Sequence, residues 1–571
     1  MKEYFEAEMR QLLESAQDFA EAYPEQARML NLNAVKDRDP YVERLLEGMA
    51  YLTAQVQKRI DDSVPELSEA LLNQLHPALC RDYPSHCVAQ FDPGLNPKGI
   101  IDMPTQRTLK AVKAHKTKDE SPTCEFLTST AVRVHPLQLV KVHSEENSDG
   151  GTDLTLRFGR PANLDWADLD LALLPLYLHG DWGLAYSLFE LLTRSDTRAQ
   201  LQQGAVVQPI GLSTGEWAEQ PGVLPETGQE HAAFSLLHDY FCARERFLFV
   251  SLTGLRLPLL DSNETRFDLH IRSQVALPAG HQLTARNLQL NCTQAVNLFP
   301  AEAEPLKHRH QRASRVLSVE NPHRGSAQVY RVTAVHGRDL VSGEVRRYHP
   351  LHAMRYRDDS DATYCEQSRR VGADQRQVQL VVDQGLNIRE EALSIDVLAS
   401  NEQLPRRLFG IGEFSGDSTQ LPDGLEVSNL TRPSRMQSPP PLHDHQWQLV
   451  SLMSLTLSAL DNADKLQQVL GLFDWSDQLD NRQRIRAISS LNQALQHRIE
   501  NGALCQIVTM TLEIDERGFS SRSDLFLMGT VLHQFFGALA SVSDFVETRV
   551  VALPSYKEWT WKAFTGQKAV L

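Results

Sequence analysis

Neither a G-x-x-x-x-G-K-[ST] phosphate loop nor a G-x-G-x-x-G dinucleotide fingerprint occurs in this chain. Without them the sequence offers no recognisable backbone cradle for a nucleotide's phosphates. Cysteine is scarce, with seven in 571 residues, at 80, 87, 124, 242, 292, 365 and 505. An odd, scattered set suits a reducing compartment better than a disulfide framework. Positive charge is also short: 57 Lys and Arg against 73 Asp and Glu give a formal net charge of −16. That balance argues against nucleic acid as a main partner. Long apolar runs are missing too. "LALLPLYL" and "LVSLMSLTLSAL" are too short or too polar for a bilayer span, so no direct membrane insertion is expected. The N-terminal "MKEYFEAEMRQLLESAQDF" carries early acids and no apolar core before a cleavage site, so it does not read as a secretory signal. The expected location is cytoplasmic.

What is present describes an ordinary folded protein, 42% hydrophobic and 23% charged. Its length allows roughly three or four domains. In "DPYVERLLEGMAYLTAQVQKRIDD", Asp39 can cap a helix and Pro40 suits its first position. Val42, Leu45, Met49, Leu52, Val56 and Ile60 recur at steps of three and four and share one face. Phe5, Met9 and Leu12 begin a second stripe that runs on through Ala16, Phe19 and Tyr23 to Pro24. "PELSEALLNQL" predicts a further helix starting near Pro65. From about residue 88 the period becomes two, in "TDLTLRF", "FLFVSL", "TRFDLHI", "QVQLVV" and "LSIDVLA". Helical insertions are expected at 182–194 and 235–247. "SPPPLHDH" reads as a linker. Helices are expected beyond it at 447–460, 465–473 and 482–500, then a strand in "CQIVTMTLEI" and a buried closing helix. The expected fold class is mixed α+β and multidomain. It comprises a bundle-forming N-terminal helical region (1–87), two central β-rich domains (88–260 and 261–440) and a C-terminal α/β region (441–571).

Candidate chemistry is sparse. "GLSTG" at 211–215 matches a hydrolase nucleophile elbow, which needs a helix directly after Ser213. The following "EWAEQPGVLPETG" suits a loop instead. A serine hydrolase is therefore the alternative reading. His76, Cys80, His86 and Cys87 are the one local set of zinc-ligand types, but their spacing is irregular. A helix end with small buried cysteines is expected there, without metal. His308 with His310, and His443 with His445, are expected as solvated loop residues. No catalytic residue, metal or cofactor is predicted. The residues point to a binding or scaffold protein and not to an enzyme.

The two N-terminal stretches closely resemble the TssF family (VasA/ImpG) of bacterial type VI secretion baseplate subunits. So do "LPLYLHGDWGLAYSLFELL", "LLHDYFCARERFLFVSLTGL", "LNCTQAVNLFPAEAEPL", "LSIDVLASNEQLP", "WQLVSLMSLTLSAL" and "LFLMGTVLHQFFGALASVSDF", which follow the family's order. Thr456 and Ser543 stand where the family more often has asparagine, and 304–330 diverges. The resemblance implies a structural wedge subunit that assembles with TssG, a second copy of itself, TssK and TssE around the VgrG spike hub. It implies recruitment to the cytoplasmic face of the inner membrane, where the baseplate primes tube and sheath assembly. A phage-tail-like baseplate protein outside type VI secretion is a further alternative. The stripes formed by Phe5, Met9, Leu12, Val42, Leu45, Met49, Leu52, Val56 and Ile60 are the candidate protein interface. Periodicity says that a face wants burial and leaves open whether the covering surface is another chain or the same one.

Overall fold

Alternating runs become strands wherever a paired neighbour covers their apolar side. Thr152–Gly159 pairs antiparallel with Arg266–Ser273, placing Leu154 opposite Ile271, Leu156 opposite Leu269 and Phe158 opposite Phe267. All six side chains are buried in the computed structural model of the chain. The Phe158 and Phe267 rings stack with centroids 5.3 Å apart. The structure describes residues 5, 6, 8–10, 12, 40–94, 97, 99–112, 123–215, 217, 219–225, 230–256, 260–261, 263–278, 280–308, 314–320, 327–351, 362–370, 376–384, 389–414, 421–422, 424–440, 443–476, 478–500 and 503–567.

The expected fold class needs correction. Among the described residues the chain is mostly β, with several sheets and few helices, rather than mixed α+β with a helical N-terminal region and a C-terminal α/β region. The clearest reversal lies at 488–500. Ile488, Leu491, Leu495 and Ile499 are spaced for a helix, yet Ile488–Glu500 is an edge strand paired along its length with Ala503–Asp515. Cross-strand pairing overrides local periodicity there. Only Arg486 and the residues before it are helical, in Leu479–Arg486. A second correction concerns Pro65, which starts no new helix, because one helix runs through it from Pro40 to Leu75.

The α-helices whose bounds lie within the described residues are α1 (Pro40–Leu75), α2 (Trp182–Thr193), α3 (Ala232–Cys242), α4 (Leu404–Leu408), α5 (His443–Leu452), α6 (Ala463–Phe473), α7 (Leu479–Arg486) and α8 (Arg522–Leu539). The chain divides into two compact units. The smaller comprises 1–73 and 442–450, and the larger 74–441 and 451–571.

Within the larger unit, a five-stranded sheet runs in the order Glu426–Asn429, His86–Asp92, Cys292–Val296, Thr123–Thr128, Thr108–Val112. Phe91, Phe126, Ala295 and Val427 meet in its core. An eight-stranded sheet takes its strands from residues 138–290. A third sheet, built from 299–400, packs Val335, Tyr348, Tyr364, Val382 and Ile395 together. The last sheet has four strands. Its inner pair, Ala503–Asp515 and Asp544–Leu553, is parallel, a geometry that requires a crossover, and α8 supplies it.

Helix α8 is buried along nearly its whole length and packs against α2, α3 and the sheet. Ser521 caps it, its hydroxyl accepting from the Asp524 amide at 3.1 Å. Two glycines on α8 meet aromatic rings at close range. A Cβ at 529 would strike Trp561, and one at 537 would strike Phe564.

Candidate interaction site

Helix α1 carries its apolar stripe outward. Leu45 is 66% exposed, Met49 49% and Leu52 62%. At 100° per residue, Ala50 and Ala54 fall on the opposite side, and both are fully buried. The face that the chain covers for itself is thus lined by small side chains, while the large aliphatic ones stay in solvent. Further along, Ser68 and Leu72 are buried at i and i+4, and the Ser68 hydroxyl donates to Gln446 Oε1 of α5 at 2.8 Å. Val42, Val56 and Ile60 belong to the same helix, with side chains outside the described residues. Phe5, Met9 and Leu12 are helical and half-buried, whereas 13–39 lie outside the described residues.

The chemical candidates are held in structural roles. Ser213 ends strand Val206–Ser213, and its hydroxyl accepts from the Gly215 amide at 2.9 Å. No helix begins directly after it, and the next described helix is α3. The intervening loop is pinned in place. Gln534 of α8 donates from Nε2 to Gly215 O (3.0 Å) and accepts from the Trp217 amide at Oε1 (2.7 Å). Buried Arg246 donates from Nη2 to Trp217 O (2.7 Å) and Gln220 O (3.1 Å), and from Nη1 to Asp239 Oδ2 (2.5 Å). Asp239 also accepts from the Tyr83 hydroxyl (2.7 Å) and the Val223 amide (3.1 Å). Burial, with Asp239 beside it, pushes the Tyr83 phenol well up. A buried ion pair saturated in this way fixes a loop and leaves no acid or base free for chemistry.

His76, Cys80, His86 and Cys87 do not converge. His76 Nε2 lies 3.1 Å from Ser235 Oγ, and His86 Nδ1 lies 2.9 Å from Ser434 Oγ. Both cysteines are buried, and burial pushes the Cys87 thiol up. Among the described residues no group of three or more His, Cys, Asp and Glu side chains is placed to hold a metal ion. The expectation for His443 and His445 is corrected. Both lie in α5, and His445 is buried, with its pKa lowered to about 4 by that burial. His308 ends a short strand, Leu306–His308, and is half-buried, while His310 lies outside the described residues. No helix among the described residues is long and apolar enough to cross a membrane.

A chain of several sheets, with buried charges pinning a loop and a helix offering large apolar side chains to solvent, has the features expected of a subunit of a larger assembly. Comparison with known proteins identifies the assembly. The family model for "Type VI secretion system, TssF" matches residues 1–568, and the chain belongs to that family. It is 26% identical to the type VI secretion system component TssF1 of Pseudomonas aeruginosa, over 99% of this chain and 98% of that protein. It is also similar to a chain in the cryo-electron microscopy structure of the type VI secretion system TssK-TssF-TssG baseplate subcomplex. There the TM-score is 0.78 and the identity 26%, over 92% of this chain and 99% of that one. A chain in the baseplate complex from the type VI secretion system matches with a TM-score of 0.63 and 25% identity, over the full length of both.

Proposed function

We propose that this chain is a structural subunit of the type VI secretion baseplate wedge. In this reading it pairs with TssG and a second copy of itself, is joined by TssK and TssE, and surrounds the VgrG spike hub at the cytoplasmic face of the inner membrane. It contributes packing surfaces and no catalytic step. The similarity to chains of two solved baseplate assemblies supports the assignment, one of them containing TssK and TssG. The seam is the stripe on α1, continued by Phe5, Met9 and Leu12. One observation carries it: Leu45, Met49 and Leu52 stand exposed while Ala50 and Ala54, on the opposite side, are buried. Exposed aliphatic side chains repeated along a helix mark an interaction face.

Co-expression with TssG tests this reading. The wild-type chain should co-purify as a defined complex and self-associate when expressed alone. Leu45→Asp or Met49→Asp should abolish co-purification, because an unpaired charge in an apolar seam is costly. Limited proteolysis should show the β-rich part still folded. Variants that still bind TssG would refute the seam, as would variants that unfold the isolated chain.

A further inference from the structure

Arg406 meets Arg432 and Arg435, distant from it in sequence, at one place in the larger unit, and among the described residues no carboxylate pairs with them. Arg406 lies on α4, and Arg432 and Arg435 follow the strand Glu426–Asn429. Hydrogen bonds lock the two segments together. Gln403 Nε2 donates to Met436 O (2.8 Å), Arg406 Nη1 to Pro433 O (3.2 Å) and Arg432 Nη2 to Arg406 O (2.9 Å). Arg432 and Arg435 are exposed and Arg406 is half-buried. Burial, and then the charges of Arg432 and Arg435, hold the Arg406 guanidinium below its usual value. Like charges therefore repel one another here in the isolated chain.

Several arginines elsewhere on the surface are answered by carboxylates. Arg133 meets Asp102 and Asp170, Arg272 meets Asp149, and Arg389 meets Glu344. Among the described residues Arg406, Arg432 and Arg435 form no ion pair. A chain with 73 Asp and Glu against 57 Lys and Arg has carboxylates to spare, so the gap is not one of supply.

We propose that Arg406, Arg432 and Arg435 form a docking surface for a carboxylate-rich segment of a partner polypeptide. Guanidinium forks match carboxylates in a bidentate fashion, and segments held together by side-chain hydrogen bonds to backbone carbonyls present those forks with little ordering cost. The net charge of −16 selects the partner class. An extended polyanion such as DNA or an anionic membrane meets the repulsive field of the whole chain. A short acidic segment feels mainly charges within a screening length of about 8–10 Å. The proposal does not rest on the α1 seam and stands or falls without it.

The test uses the full-length chain and a fluorescent oligoglutamate peptide, titrated by anisotropy at low and at physiological salt. The peptide should bind, more weakly as salt rises. Arg432→Gln with Arg435→Gln should weaken binding about tenfold. Arg435→Gln alone, whose side chain makes no hydrogen bond among the described residues, should weaken it roughly threefold. Arg272→Gln should leave binding unchanged. The proposal is overturned if Arg435→Gln binds like wild type or if Arg272→Gln loses as much. Displacement of the peptide by duplex DNA or by phosphatidylglycerol vesicles would likewise overturn it, in favour of a general anion surface.

Discussion

Arg484 and Asp524 form a buried ion pair, with Nη2 2.8 Å from Oδ2 and side chains 6% and 0% exposed. Arg484 Nε adds a second contact at 3.1 Å, and Asp524 Oδ2 also accepts from the Ser520 hydroxyl at 2.9 Å. The pair ties α7 to the first turn of α8, where a carboxylate also favours the helix dipole. Replacing Asp524 by Asn would leave a guanidinium buried without a counter-charge. It should cost about 3 kcal/mol, read as a lowered urea midpoint of the purified chain. Asp461→Asn, which breaks an exposed pair with Lys465, should move that midpoint far less. Equal effects from the two variants would show that the buried pair is not special.

Two helical glycines should respond to alanine with opposite signs. At Gly537 of α8 the new Cβ would press on the Phe564 ring, and at Gly471 of α6 nothing lies within 4 Å. Gly471→Ala should stabilise by about 0.5–1 kcal/mol through helix propensity alone. Gly537→Ala should destabilise by about 1–3 kcal/mol through overpacking, and Phe564→Leu should relieve part of the loss. Thermal unfolding of the three variants decides the matter.

Acid should weaken the fold before the carboxylates titrate. Burial lowers His76 to about 4 and His533 to about 3. The His533 ring is held by Thr548, with Nδ1 2.9 Å from Oγ1. Both histidines are neutral in the fold, whereas in the unfolded chain they take up protons near the ordinary histidine value of 6.5. The stability they contribute is therefore full above about 6.5 and is lost as pH falls from there through the folded values. Each group accounts for about 2 kcal/mol of loss by pH ~5. His533→Gln should flatten the dependence of the urea midpoint between neutral pH and pH ~5. An unchanged slope would contradict this account.

Ser213→Ala should leave secretion and baseplate assembly unchanged and shift stability by less than about 0.5 kcal/mol. Its hydroxyl accepts one exposed turn amide, from Gly215. Loss of secretion by a variant that folds and assembles would restore the hydrolase reading.

Much of the β architecture could be read in the sequence, because period-two runs such as 152–158 and 265–271 need only a covered side to become strands. Helices α2, α6 and α8 were legible as apolar-rich helical runs bounded by turn residues. Residues 488–500 misled because the period was helical while the deciding partner, Ala503–Asp515, is a separate segment further along the chain. On α1 the stripe was legible but its surroundings were not. Ala50 and Ala54, which the chain itself buries, carry almost no hydrophobic signal. The arginine site was hidden more deeply, since Arg406 and Arg432 are brought together only by the fold.

The five-stranded sheet places Glu426–Asn429 beside His86–Asp92. A ribosome adding roughly 5–20 residues per second needs on the order of half a minute to make the chain between them. For that interval the outer edge of His86–Asp92 has no strand to pair with, and an open edge invites pairing with another nascent chain. Synthesis in the cell is thus the stage at which this subunit is most exposed to misassembly. A chaperone that shields the strand until residue 429 has emerged would raise the yield of folded subunit more than one that acts after release.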